Sequence, residues 1–384
     1  MLSPSGPAAA FYATEAEAAV AGETLTAQVA ARIEGGRRKR GQAPVVRDGR
    51  LDRVALDIVR VTAGRRAPDP EAVAFLLWHY GVVEPEPSLF LLRGDNGAEA
   101  TALADLESQL AVASASSDWR RAGIGVERTP GQWSMAIVFQ EKSLDLNPVP
   151  RVHGVGAHAT IAGRIQGTVR APEVLVTPPQ GAVKRPATKV RREAFSAELA
   201  CGPDAGVYQV EINAQDERGP RVLANFPVYC GVAPPLTFAL AVAAATTMDA
   251  ALVERHLLEL LDRDRRAHGL PLLQRDARLA AVARRYSQEM ADHGEVAHIS
   301  PRTGSAVDRV RKAGIAPPPT VLAENVGSAA SAGDAERAFM GSPAHRDNIL
   351  NRDVTHVGVG VAIGRDEGGT VPLYFTQIFA GWDK

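Results

Sequence analysis

Two stretches of this chain spell one pattern at a constant offset. Arg37-Arg38, Gly41, Arg47-Asp48, Arg50-Leu51 and Val54-Ala55 recur without a gap as Arg265-Arg266, Gly269, Arg275-Asp276, Arg278-Leu279 and Val282-Ala283. Further on, Asp118 with Gly123-Ile124-Gly125-Val126 is matched by Asp353 with Gly358-Val359-Gly360-Val361. Both copies then run into a closing strand, Trp133 to Gln140 and Val371 to Ala380. Matches in the same order at both ends of a segment mark a duplicated unit, so two copies of one fold are expected. The competing reading is chance, because helices and hairpins in Ala- and Arg-rich chains look alike.

What separates the copies is bounded by proline. Asn147-Pro148-Val149-Pro150 and Ala233-Pro234-Pro235 suit linkers, since proline fixes φ and lacks a donor. The 384 residues therefore divide into 1–147, 148–235 and 236–384. Hydrophobic residues are 45% and charged residues 23%, an ordinary folded mixture. Aromatic residues are only 5%, so the cores are built mainly from Ala, Val and Leu. With 43 basic and 44 acidic residues, no global field favours nucleic acid or anionic lipid. The run Arg37-Arg38-Lys39-Arg40 could bind phosphate locally, although such runs are usually solvated helix faces. Met1 to Phe11 has no basic start or apolar stretch, so it does not read as a signal peptide. Leu236 to Ala245 is about half a membrane span. No transmembrane segment is expected, and any export leader has been removed from this chain.

The middle segment reads as all-β. Val207 to Ala214 and Arg221 to Tyr229 are strand-like runs flanking the turn cluster Gln215 to Pro220. Asp204-Ala205-Gly206-Val207-Tyr208 resembles the tyrosine corner of immunoglobulin-like sandwiches, which is the fold expected here. A hairpin returns Cys230 to the end where Val207 began, close to Cys201, so a disulfide is geometrically allowed. Such a bridge argues for an oxidising compartment; the alternative is two buried thiols.

The last segment opens with helices. Leu257, Leu258 and Leu261 share a face, and Gly269 is a stop. Asp276 suits the N-cap of a helix presenting Leu279, Val282, Ala283, Tyr286 and Met290, ended by Gly294. A terminal hairpin follows, His356 to Ile363 and Val371 to Ala380 around the turn Arg365 to Gly369. In outline this is an α/β sandwich.

Four stretches of this segment carry a family likeness: Gly269-Leu270-Pro271-Leu272-Leu273 with Leu279-Ala280, Ala297-His298-Ile299-Ser300-Pro301, Ala323-Glu324-Asn325-Val326, and Ser342 to Leu350, followed by Val357-Gly358-Val359-Gly360. In that order they resemble the bacterial branch of the CAP superfamily (cysteine-rich secretory, antigen and pathogenesis-related, SCP-like). The resemblance implies an α-β-α sandwich in which His298, Glu324 and His345 line one cavity. The family's fourth group is often a second glutamate; Glu336 lies in the right interval but outside any matched motif.

Imidazole nitrogen and carboxylate oxygen are good ligands for a divalent cation, zinc first, so His298, His345 and Glu324 are candidate metal ligands. Equally, the three could simply hydrogen-bond one another and pin loops together. Asn325 and Asn348 suit backbone satisfaction. Ser342-Pro343 suits a helix start that places His345 in the first turn. Ser300 beside His298 shows no oxyanion device in sequence, and no catalytic residue is assigned.

Carrying the repeat through Pro68 and Pro301, and through Gly81 and Gly314, sets Arg65 opposite His298, Leu91 opposite Glu324 and the Leu110 region opposite His345. The N-terminal part thus reads as a degenerate CAP-like domain without the cavity residues. The expectation is an exported or envelope protein, leaning away from an enzyme. Its C-terminal cavity binds a cation, lipid or other small molecule, and the other two segments offer surfaces to a protein partner. The rival readings are a metal-assisted hydrolase at His298, His345 and Glu324, and a structural envelope or adhesion protein.

Overall fold

The computed structural model describes residues 1–22, 24–62, 68–85, 87–113, 117–179, 181–240, 248–365 and 371–382. The chain divides into two compact units. One comprises Met1–Pro172, Ala187–Tyr208 and Leu223–Ala241; the other comprises Glu173–Pro186, Gln209–Val222 and Val242–Lys384. Two pieces of the middle segment therefore belong with the C-terminal segment.

In the second unit, the strand Leu373–Gly381 is buried along its whole length. Such a strand needs cover on both faces, and helices supply it. Leu373, Phe375 and Phe379 join Val253, Leu257, Leu261 and Phe339 in one cluster. Ile378 and Ala380, pointing the other way, join Leu279, Val282 and Ala283 in another. Helices Ala250–Ala267 and Ala332–Gly341 thus pack on one face and helix Ala277–His293 on the other, giving the expected α-β-α arrangement. The sheet order is Gln274–Arg275, His356–Ile363, Leu373–Gly381, Val321–Ala329, so Val321–Ala329 lies at an edge. Asp276 caps its helix by accepting from the Arg278 and Leu279 amides, and Gly294 ends it at φ 66°. That helix presses hard on the sheet. A Cβ on Gly358 would lie 2.2 Å from the Leu279 carbonyl carbon, and one on Gly360 2.2 Å from the Arg284 nitrogen.

The first unit contains helices Thr24–Lys39, Gly49–Val61, Pro70–His79 and Glu99–Ala113. Its sheet runs Val46–Arg47, Trp119–Thr129, Gln132–Glu141, Ser88–Asp95. Element for element this is the order of the other sheet, with the two-residue strand parallel to its neighbour in both. Local devices match too. Asp48 caps helix Gly49–Val61 by accepting from the Arg50 amide. A Cβ on Gly123 would lie 2.0 Å from the Leu51 carbonyl carbon, and one on Gly125 2.1 Å from the Leu56 nitrogen. The buried Arg37 donates from Nε to the Ala43 carbonyl at 2.8 Å, as Arg265 does to Pro271 at 2.9 Å.

The ladder registers correct one expected equivalence. Glu324 pairs with Ile378, which pairs with Gly358. Leu89 pairs with Val138, which pairs with Gly123. Because Gly123 matches Gly358, Leu89 holds the position of Glu324, and Leu91 stands opposite Val326 instead. Residue counting across loops of unequal length slipped by two, which preserves the face of the sheet and so leaves no trace in the pattern. Arg65 lies outside the described residues, as do residues 241–245 of the apolar run and 366–369 of the terminal turn.

The first unit also holds a four-stranded sheet in the order Lys189–Arg191, Ala194–Ala200, His158–Ile165, Leu144–Leu146. Cys201 and Cys230 form a disulfide with their Cα atoms 5.7 Å apart. The Tyr208 hydroxyl donates to the Asp204 carbonyl at 3.1 Å and accepts from the Gly202 amide at 2.9 Å. Among the described residues, no helix is long and apolar enough to cross a membrane.

Candidate functional site

The candidate site gathers at the edge strand Val321–Ala329. Side chains alternate along a strand, so Glu324 and Asn325 leave it on opposite faces. Glu324 shares the face of Ile378, toward helix Ala277–His293; Asn325 pairs with Gln377 and shares the other.

On the Glu324 face a short relay fixes His298. Tyr286, from helix Ala277–His293, donates its hydroxyl to the Ala297 carbonyl and so ties down the segment that carries His298. Burial pushes the Tyr286 pKa up to about 12, against the lowering effect of Arg309. Helix Ala306–Lys312, begun by the reciprocal cap of Ser305 and Asp308, delivers Arg309. The Arg309 guanidinium carbon lies 3.3 Å from the Tyr286 ring centroid, and its Nη2 donates to Glu324 Oε1. Glu324 Oε2 meets His298 Nδ1 at 3.2 Å. Both oxygens of this buried carboxylate are therefore engaged.

On the other face helix Pro343–Ile349 carries His345. Ser342 caps it by accepting from the His345 amide, with Pro343 in the first turn. Asn325 Nδ2 donates to the His345 carbonyl at 3.2 Å and to Gln377 Oε1 at 2.9 Å. Asn348 Nδ2 donates to the Glu324 carbonyl at 3.2 Å and to Asn325 Oδ1 at 2.9 Å. These asparagines clamp the backbone under the site. The His345 ring lies edge-on to Phe339, with centroids 5.2 Å apart, and 6.2 Å from the His298 ring. The residue keeps some solvent exposure, but packing around the imidazole, with His298 adjacent, brings its pKa down to about 3. His345 is neutral across the physiological range.

His298, Glu324 and His345 are thus brought together, while Glu336 is not. Glu336 is 1% exposed and accepts from Gln377 Nε2 at 3.1 Å, on the Asn325 face of the sheet. Burial, with the Asp264 carboxylate nearby, pushes its pKa up to about 8, so it carries a proton at neutral pH. Arg309 and Tyr286 were absent from the sequence-based site. Nothing in the local pattern of helix Ala306–Lys312 sets Arg309 apart from Arg311.

As arranged, Glu324 is ion-paired to Arg309 and hydrogen-bonded to His298, while His345 stands beside the His298 ring. A cation at Glu324 would have to share the carboxylate with the Arg309 guanidinium, a like charge already paired there. Among the described residues, no group of three or more His, Cys, Asp or Glu side chains stands ready to hold a metal ion.

A model of the Cysteine-rich secretory protein family (CAP) matches residues 258–379. The uncharacterized protein YkwD of Bacillus subtilis (strain 168) is 36% identical over 129 residues, covering 33% of this chain and 47% of that protein. The uncharacterized membrane protein YlbC of the same organism is 33% identical over 109 residues, covering 28% of this chain and 31% of its own length. The chain thus spans about half and about a third of these two curated relatives. A solved extracellular protein containing an SCP domain, from Bacillus anthracis str. Ames, is similar over 58% of this chain and 77% of its own, at 19% identity and a TM-score of 0.31.

Proposed function

From the premise that residues 258–379 form a CAP domain, we propose that this chain is an exported binding or interaction module rather than a hydrolase. The observation that carries this reading is the state of Glu324, held between the Arg309 guanidinium and His298. Hydrolysis needs a general base and donors aimed at a developing oxyanion. The carboxylate best placed to act as base is already committed, and Glu336 lies on the other face of the sheet, protonated. What remains is a pair of imidazoles, one of them neutral, with ring centroids 6.2 Å apart beside Phe339. That suits a small ligand with an apolar part and one hydrogen-bonding group.

A second reading follows from His345. A neutral imidazole near His298 is available to a divalent cation, which would compete with Arg309 for Glu324. Calorimetry with zinc on wild type and His298→Ala, beside a screen of ester and peptide substrates, separates the two. Zinc binding lost in His298→Ala establishes the cation site. Turnover abolished by His345→Ala overturns the non-enzyme reading.

For the rest of the chain we infer a degenerate CAP-like copy and an immunoglobulin-like middle, both presenting surfaces to partners. The matched sheet order, helix caps and close-packed glycines support the first. The Tyr208 corner and the disulfide support the second. The disulfide also supports export or an envelope location, where such bonds persist. A formal charge of −1 supports the exclusion of nucleic acid.

A further inference from the structure

We infer that the hairpin Gln209–Val222 of the middle segment holds the two site histidines in place, with Glu211 as a positioning residue for His345 and the turn at Gly219 as a seat for His298. The argument begins with burial. An exposed hairpin would alternate, yet all of Val210, Glu211, Ile212, Asn213 and Ala214 are buried, so both faces are covered. Glu211 is wholly buried. Its Oε2 accepts from the Ser342 hydroxyl at 2.6 Å, and its Oε1 from the Ala344 amide at 3.1 Å and from Asn213 Nδ2 at 3.0 Å. Ser342 and Ala344 open the helix whose first turn holds His345. The carboxylate therefore fixes the two residues that aim the ring, and does so where a helix start offers unpaired donors. Burial raises the Glu211 pKa while those donors lower it.

The tip of the same hairpin meets the other imidazole. The Arg218 carbonyl accepts from the His298 amide at 3.1 Å and from the Ile299 amide at 2.8 Å. Gly219, at φ 104°, leaves room where a Cβ would stand 2.8 Å from His298 Cβ. One hairpin thus anchors both histidine segments, each through backbone or cap contacts that set ring placement without touching the rings. The expected consequence is that a change in the middle segment is felt at the two imidazoles.

The test uses the full chain and records histidine ring resonances by two-dimensional proton–carbon NMR at fixed pH, which needs no ligand and is indifferent to whether the site binds anything. Glu211→Ala is expected to move the His345 signals while those of His256 and His293 stay put. Glu211→Gln should restore them, because its amide oxygen still accepts from Ala344. Gly219→Ala is expected to move the His298 signals. If Glu211→Ala does not fold, Glu211→Leu keeps the volume without accepting from Ser342 or Ala344 and should move His345 in its place. Unchanged His345 signals in a folded Glu211→Ala or Glu211→Leu chain overturn the positioning role. Glu211→Gln signals that stay with the Ala variant overturn the hydrogen-bond account of it.

Discussion

Arg309→Ala is the perturbation that most directly questions the relay. The Arg309 side chain is 6% exposed and that of Glu324 is 5%, so their ion pair is screened by little water. Deleting the guanidinium leaves a buried carboxylate with only His298 beside it. Breaking a buried pair by removing one partner typically costs about 3–5 kcal/mol, mostly for the orphaned charge. Against a domain stability of about 5–15 kcal/mol, that loss should be plain in a urea titration of the full chain followed through the His298 and His345 ring signals. Arg309→Met combined with Glu324→Leu removes both charges and keeps the volume. It should recover all but about 1 kcal/mol, giving a large coupling energy between the two sites. A single variant costing under about 1 kcal/mol, or a double variant equal to the sum of the singles, refutes the buried-relay account.

Glu336 and His345 predict opposite pH dependences. Native Glu336 keeps its proton to about 8 while an unfolded glutamate loses it near 4.5, so stability should fall by a few kcal/mol as pH rises between these values, and Glu336→Gln should flatten the slope. Native His345 stays neutral to about 3 while an unfolded histidine takes up a proton below about 6.5, so stability should fall as pH drops through that window, and His345→Gln should remove that part. The Cys201–Cys230 bridge should leave no titratable thiol under denaturing, non-reducing conditions, and reducing it should cost about 3–4 kcal/mol by the chain-entropy model. Gly358→Ala and Gly123→Ala should each cost about 1–3 kcal/mol in melting experiments, because a Cβ at either position meets helix backbone; a neutral result at one position but not the other would break the equivalence of the two sheets.

Much of the C-terminal architecture was legible because it is written in local chemistry. Asp276, Gly294 and Ser342-Pro343 punctuate helices by side-chain acceptance, left-handed backbone and fixed φ, and these act within a few residues of chain. Gly123 and Gly125 matched Gly358 and Gly360 in sequence, but that a helix backbone lies against each pair is seen only in the packing. The register of the first sheet was not legible, since a slip of two residues leaves each side chain on its original face. Glu336 fell within the right interval of sequence, but which face of the sheet its helix covers is settled by packing.

By itself, then, the sequence determined the periodic and the punctuated: where several helices start and stop, that one residue pattern recurs at a constant offset, and that His298, Glu324 and His345 fall in successive motifs. Tertiary structure alone decided what surrounds them. Arg309 reaches Glu324 because helix Ala306–Lys312 packs beside the edge strand, and nothing in its own turn distinguishes it from Arg311. Glu211 sits in a strand whose alternation reads as one wet face, yet that face is covered by Ser342 and Ala344 from far along the chain. Contacts between residues so widely separated depend on how finished elements dock, and docking leaves no periodic signal in either partner.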